Sequence, residues 1–126
     1  MGLVTGKEIL AAAHQGGYAV GAFNINKLEI LQGVAAGCVA MQSPLIIAVT
    51  EGALHYAGFA YILAMARAAS AAAPIPMALY LDHGRDHAII DQCIRGGGYL
   101  GDDRCLLPSA RGEHQRDQKG SGSGPR

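Results

Sequence analysis

The chain has 126 residues, half of them hydrophobic, with ten basic and ten acidic residues. This length and composition suit one ordinary domain with a buried core. The balanced charge gives no electrostatic basis for binding nucleic acid or an anionic membrane. The three cysteines (Cys38, Cys93 and Cys105) form no CxxC pair, which argues against a disulfide framework and a cysteine zinc site. We therefore expect free thiols in a reducing, cytoplasmic setting.

The first part of the chain predicts a helix, a strand and a second helix. Thr5 is a favourable N-cap for a short helix that Gly16 and Gly17 close. The apolar run 18–24 suits a buried strand. Apolar residues then recur at helical spacing over 27–41, which predicts a helix.

The following segments repeat this order of elements. Residues 43–50 (SPLIIAVT) form a continuous, branched apolar run, typical of a strand that is buried on both faces. A helix is predicted over 61–72, a third strand over 77–82 and a last short helix over 86–94. Arg67 and two prolines interrupt the apolar segment 56–81, so we predict no membrane span there.

Strand and helix thus alternate three times with short connections, which favours an α/β fold of parallel βα units. The alternation alone does not decide between an open sheet and a closed barrel. The glycine-containing stretch GGYAVGAF has no GxGxxG pattern between a strand and a helix. The sequence therefore does not predict a dinucleotide-binding site.

The most informative local feature is the stretch Leu81-Asp82-His83-Gly84, at the carboxyl end of the third predicted strand. In βα architectures the loops at this end form the mouth of the active site. An aspartate beside a histidine can combine an acid or base with a metal ligand. The alternative is that Asp82 simply caps the next helix.

Three other residues are candidates for the same region. His83 and His87 are four residues apart, so they could share a helical face as paired zinc ligands do; an exposed first helical turn is the stronger explanation of His87. Asn24 and Thr50 end the other two predicted strands and therefore face the same mouth. Either side chain could instead cap a helix.

Four stretches of this sequence together resemble the class II fructose- and tagatose-bisphosphate aldolases. They are VTGKEILAAAHQGGYAVGAFNINKLEILQGV, SPLIIAVTEGALHYAG, PMALYLDHG and QCIRGG. The resemblance runs in order from Leu3 to about Gly98. It implies a (β/α)8 barrel, of which this chain would hold the N-terminal helix and about the first three βα units.

The resemblance also implies roles for particular residues. Asp82 matches the family's catalytic acid/base, and His83 matches the first ligand of the catalytic Zn²⁺. Asn24 and Thr50 match positions on the substrate side. The implied substrate is a small sugar bisphosphate, and the implied metal acts as a Lewis acid on the ketose carbonyl. Family members are commonly homo-oligomers.

From about residue 99 the sequence departs from the family. The family continues with a strand reading close to TSVMIDAS, whereas this chain continues with charged residues, glycine and serine around one apolar stretch, 105–107. Back-translated codons for 99–126, shifted by one nucleotide, permit a family-like strand, loop and helix. We therefore predict an aldolase segment over 1–98 and an out-of-frame, disordered tail over 99–126. The nucleotide sequence of the gene tests this prediction.

Only His83 of the family's metal ligands falls within the matched part, whereas a catalytic zinc site needs about three protein ligands. Three barrel strands also leave open edges. We therefore expect the chain alone to be unstable and to lack aldolase activity. Two alternatives remain: a non-catalytic fragment that docks on a complementary barrel, and a metal-binding module built on His83 and His87.

Overall fold

The computed structural model describes residues 2–96 and 105–106, with side chains for 2–95. The described chain has five helices and four strands in this order: α1 (Gly6–Gly16), β1 (Gly21–Asn24), α2 (Leu28–Ala40), β2 (Leu45–Thr50), α3 (Glu51–Ala57), α4 (Phe59–Ala72), β3 (Met77–Asp82), α5 (His87–Gly96) and β4 (Cys105–Leu106). The predicted boundary near residue 98 and the predicted disorder of the tail fall largely outside the described residues and stay predictions.

The strands form one parallel sheet in the order β1-β2-β3-β4. Each strand therefore pairs with the next one along the chain, without the reversal of order that marks a doubly wound sheet. Sequential parallel pairing is the arrangement of a barrel wall. β4 comes from the apolar stretch of the tail, and the backbone of Cys105 and Leu106 pairs with Leu79 and Tyr80 of β3.

The first helix begins and ends as predicted. The Thr5 hydroxyl accepts a hydrogen bond from the Glu8 amide, and the Glu8 carboxylate accepts one from the Thr5 amide, which completes a capping box. Gly17 ends the helix in the left-handed conformation, at φ 66°. The Tyr18 amide then donates to the Ala13 carbonyl, so Tyr18 belongs to the helix end. This is why β1 begins at Gly21 and not at the predicted residue 18.

The core lies between the sheet and helices α2 to α5. Leu45, Ile47 and Val49 of β2 point into it and are almost fully buried. The alternate residues of the strands face the other side of the sheet, where Ile9 of α1 packs against Ile46 and Ala78. Both faces of β2 are therefore covered, as its continuous apolar sequence predicts.

A short helix, α3, was not predicted. It follows β2 directly, and the Thr50 hydroxyl caps it by accepting a hydrogen bond of 3.2 Å from the Ala53 amide. Gly58, at φ 86°, separates α3 from α4. Within the described residues, no helix has the length and apolarity needed to cross a bilayer.

Candidate active site

The last residues of three strands lie on one face of the sheet. Asn24 pairs in register with Ala48, and Thr50 pairs with Asp82. Because side chains alternate along a strand, Asn24, Thr50 and Asp82 share the face opposite helices α2 to α5. All three stand at the carboxyl ends of the strands, which is where barrel enzymes place their chemistry.

The structure brings two of these side chains together. The Asn24 amide nitrogen Nδ2 donates a hydrogen bond of 3.1 Å to Asp82 Oδ2. This contact joins the ends of β1 and β3 across the intervening strand β2, which requires a curved sheet. Asp82 keeps about a quarter of its side chain exposed (26%), so its carboxylate is both held in place and accessible from the mouth.

His83 lies beside Asp82 but faces the solvent. Its Nε2 is 3.3 Å from Asp82 Oδ1, and its side chain is 80% exposed. The backbone of His83 has φ 112°, a conformation that residues other than glycine rarely adopt. Strained backbone of this kind is often found at functional sites.

Gly84 lets the chain turn tightly after His83. A Cβ atom at this position would lie 2.9 Å from Ile90 Cγ1 and 3.0 Å from Leu81 Cδ2. The loop therefore packs directly against β3 and α5, and a larger residue would push it outward.

Thr50 has a different role from Asn24, which bonds to Asp82. Its hydroxyl caps α3, which is the alternative that the sequence left open for this residue. The carboxylate that caps α5 belongs to Asp86, whose Oδ1 accepts a hydrogen bond of 2.8 Å from the Ala88 amide. The capping interpretation of Asp82 is therefore wrong.

The helical face that His83 and His87 could have shared does not form. α5 begins at His87, and His83 lies before it in the loop with a positive φ. His87 is an exposed residue of the first helical turn, as the alternative interpretation stated. The four-residue spacing therefore gives no support for a zinc pair.

Sequence reasoning missed Glu51, the first residue of α3. Its Oε1 accepts hydrogen bonds from the backbone amides of Arg85 (2.5 Å) and Asp86 (2.6 Å). These bonds join the loop after β2 to the loop after β3. No local pattern could identify this pair of contacts, because the partners are 34 and 35 residues apart.

The backbone amides of Asp86 and Arg85 lower the pKa of Glu51 below its ordinary value, because they stabilise the ionised carboxylate. The Glu51 carboxyl group therefore binds its proton more readily in the unfolded chain than in the native chain. The resulting stabilisation is present at neutral pH and is lost as the pH falls below about 4.5, through the lowered pKa. We expect the ¹³C signal of the Glu51 carboxyl to titrate at lower pH in the native chain than in urea. Equal midpoints would contradict the two hydrogen bonds.

No group of three or more His, Cys, Asp or Glu side chains within the described part of the chain is placed to hold a metal. His83 alone, with one exposed imidazole, does not make a zinc site, which takes about three protein ligands. The described residues therefore do not fit a complete zinc centre. Cys38 and Cys93 are buried, and they form no disulfide within the described part of the chain.

The profile of the family "Fructose-bisphosphate aldolase class-II" matches residues 4–100. The chain belongs to this family. It is 42% identical over 95 residues to the fructose-bisphosphate aldolase of Thermus caldophilus, covering 75% of this chain and 31% of that protein. It is 39% identical over 97 residues to the D-tagatose-1,6-bisphosphate aldolase subunit GatY of Klebsiella oxytoca, covering 77% and 34%.

The similarity to aldolases is also present in the three-dimensional structure. The YdjI aldolase from Escherichia coli K12 superposes with a TM-score of 0.67 at 27% identity, covering 75% of this chain and 37% of that one. The predicted fold class is therefore confirmed: the described residues have the α/β fold of part of a TIM barrel. It spans about a third of the length of the curated aldolases it matches.

Proposed function

We propose that this chain supplies the first part of an aldolase active site that cleaves a ketose 1,6-bisphosphate reversibly to glycerone phosphate and glyceraldehyde 3-phosphate. The family match over residues 4–100 supports the reaction class. Relatives named for fructose and for tagatose bisphosphate match almost equally well, so the proposal covers both substrates. The observation that carries it is the partly exposed Asp82 carboxylate, held at the strand ends by Asn24.

In this proposal Asp82 moves one proton. In cleavage its carboxylate takes the proton of the substrate hydroxyl whose oxygen becomes the aldehyde oxygen, and in condensation it returns that proton. The Asn24 amide leaves Oδ1 of the carboxylate facing His83 and the mouth while it holds Oδ2. A carboxylate with one oxygen held in place and the other beside His83 at the mouth is suited to general acid–base catalysis.

Asn24 and Thr50 belong to the proposed substrate side of the mouth. Asn24 acts there through its hydrogen bond to Asp82. Thr50 acts by starting α3, which sets the position of the loop after β2. Both residues shape the space in front of Asp82.

His83 is proposed to contribute one ligand to the Zn²⁺ of a complete barrel. Its exposed imidazole next to Asp82 suits that role. The remaining ligands would have to come from outside the described residues, because these residues hold no set of metal ligands. We therefore propose that the chain alone has no aldolase activity.

The test compares the chain with a chimera. In the chimera, residues 4–96 replace the matching first third of the Thermus caldophilus aldolase. We expect the 126-residue chain, with added zinc, to cleave fructose 1,6-bisphosphate no faster than a zinc-only blank, and we expect the chimera to turn over. Turnover by the chain alone would refute its proposed inactivity. A folded but inactive chimera would refute the proposed role of these residues.

A second candidate function is docking on a complementary barrel. An apolar groove of about 560 Å³ runs along β1 and α2, and Phe23, Val34 and Met41 contribute to its lining. Gly33 and Gly37 leave open space beside it. Within the described residues β1 pairs only with β2, so its other edge could accept a strand. Co-purification with the downstream two-thirds of a class II aldolase, without turnover, would favour this function over the first.

A further inference from the structure

The loop between β3 and α5 carries His83 and follows directly after Asp82. The side chain of Glu51, which lies outside this loop, binds the loop backbone. Glu51 Oε1 accepts both the Arg85 and the Asp86 amide. Glu51 itself is fixed at the start of α3, because Thr50 caps that helix.

These contacts hold the C-terminal end of the loop, whereas its N-terminal end is attached to β3. The strand fixes Asp82 at one end, and Glu51 fixes Arg85 and Asp86 at the other. Only His83 and Gly84 lie between the two fixed points. The φ of 112° at His83 is costly for a histidine, so it persists only if the surrounding structure enforces it.

We propose that Glu51 is a positioning residue, whose carboxylate fixes the β3–α5 loop and thereby orients Asp82 and His83 at the mouth. The importance of Glu51 for catalysis rests on the proposed function, whereas its effect on the geometry of the loop does not. The residue touches neither Asp82 nor Asn24 in the hydrogen bonds described above. It acts on them through the backbone of the loop.

The bonds from Glu51 are suited to this task. An ionised acceptor forms stronger hydrogen bonds than a neutral one, and two backbone donors converge on one oxygen atom. Neither donor is part of a regular hydrogen-bond ladder, because α5 begins only at His87. Loss of the carboxylate would therefore leave both amides to water and release the loop.

The test uses the full chain with three substitutions. Glu51→Ala removes the acceptor, and Glu51→Gln keeps a neutral oxygen at the same reach. Glu29→Ala is the matched control, because Glu29 is likewise an acidic residue in the first turn of a helix, α2, and its side chain is exposed. Two NMR readouts are measured: amide exchange at Arg85 and Asp86, and the side-chain amide signals of Asn24, which report its hydrogen bond to Asp82.

We expect Glu51→Ala to speed exchange of both amides about tenfold or more and to shift the Asn24 side-chain signals. Glu51→Gln should restore most of both effects, and Glu29→Ala should cause neither. Unchanged exchange would show that the two hydrogen bonds do not hold the loop. Faster exchange with unmoved Asn24 signals would show that Glu51 only stabilises the loop, and would overturn its positioning role.

The same substitutions in the chimera provide a second measurement if the chain alone is too unstable for NMR. We expect Glu51→Ala to lower kcat about 10-fold to 100-fold with little change in KM, because misplacement of a catalytic group costs rate. Glu51→Gln should recover most of this loss. An unchanged kcat would overturn the proposal. A parent chimera without activity would count against the proposed function, and the amide exchange measured in it would then decide the role of Glu51.

Discussion

The substitution Asp82→Asn should lower the rate of aldol cleavage by the chimera about 10²-fold to 10⁴-fold, the usual contribution of a general acid or base. The amide oxygen of the new side chain can still accept the hydrogen bond that Asn24 donates to Asp82 Oδ2. The site therefore keeps the hydrogen bond to Asn24, and it loses the group that can take up and return a proton, together with the negative charge beside His83 Nε2. Steady-state cleavage of fructose 1,6-bisphosphate measures the effect.

The control for this prediction is Asp91→Asn. Asp91 lies on α5, is 63% exposed and forms a long ion pair of 3.8 Å with Arg95. Exposed pairs of this kind contribute little, so the chimera should keep its rate. A loss of less than about tenfold in Asp82→Asn would be too small for general acid–base catalysis, and another residue would then have to move the proton.

The sequence predicted most of the elements because local chemistry determines them. The Thr5 capping box and the left-handed Gly17 define α1. The branched run that ends at Thr50 defines β2, which begins at Leu45 because the Ser43 amide still bonds to the Cys38 carbonyl at the end of α2. The place of Asn24, Thr50 and Asp82 at one mouth also follows from the sequence, since each ends a parallel strand. That they share a face depends on the strand register, which only the structure gives.

The features that the sequence could not predict depend on contacts between residues that are far apart in the chain. α3 has seven residues and contains Gly52, so its helical pattern is too short to recognise. The Asn24–Asp82 hydrogen bond spans 58 residues and depends on the curvature of the sheet. The Glu51 contacts and the positive φ of His83 likewise arise only when two loops meet. The missed features are therefore the ones that position the site.

Ile47→Ala should lower the free energy of unfolding by about 3–4 kcal/mol, the typical loss for a buried isoleucine. Ile47 is fully buried (0% exposed) in the central strand β2 and points into the core under helices α2 to α5. Alanine would leave a cavity that β1 and β3 cannot close, because both are hydrogen-bonded to β2. Urea unfolding followed by circular dichroism measures the loss.

Ile94→Ala is the matched control, since Ile94 on α5 is 55% exposed and its truncation should change stability by less than about 1 kcal/mol. The loss of about 3–4 kcal/mol expected for Ile47→Ala is a large part of the stability of any small domain, about 5–15 kcal/mol. We therefore expect Ile47→Ala to unfold at a much lower urea concentration than Ile94→Ala. If Ile47→Ala and Ile94→Ala unfold at the same urea concentration, β2 is not at the centre of the core, and the strand ends that position Asn24, Thr50 and Asp82 have another support.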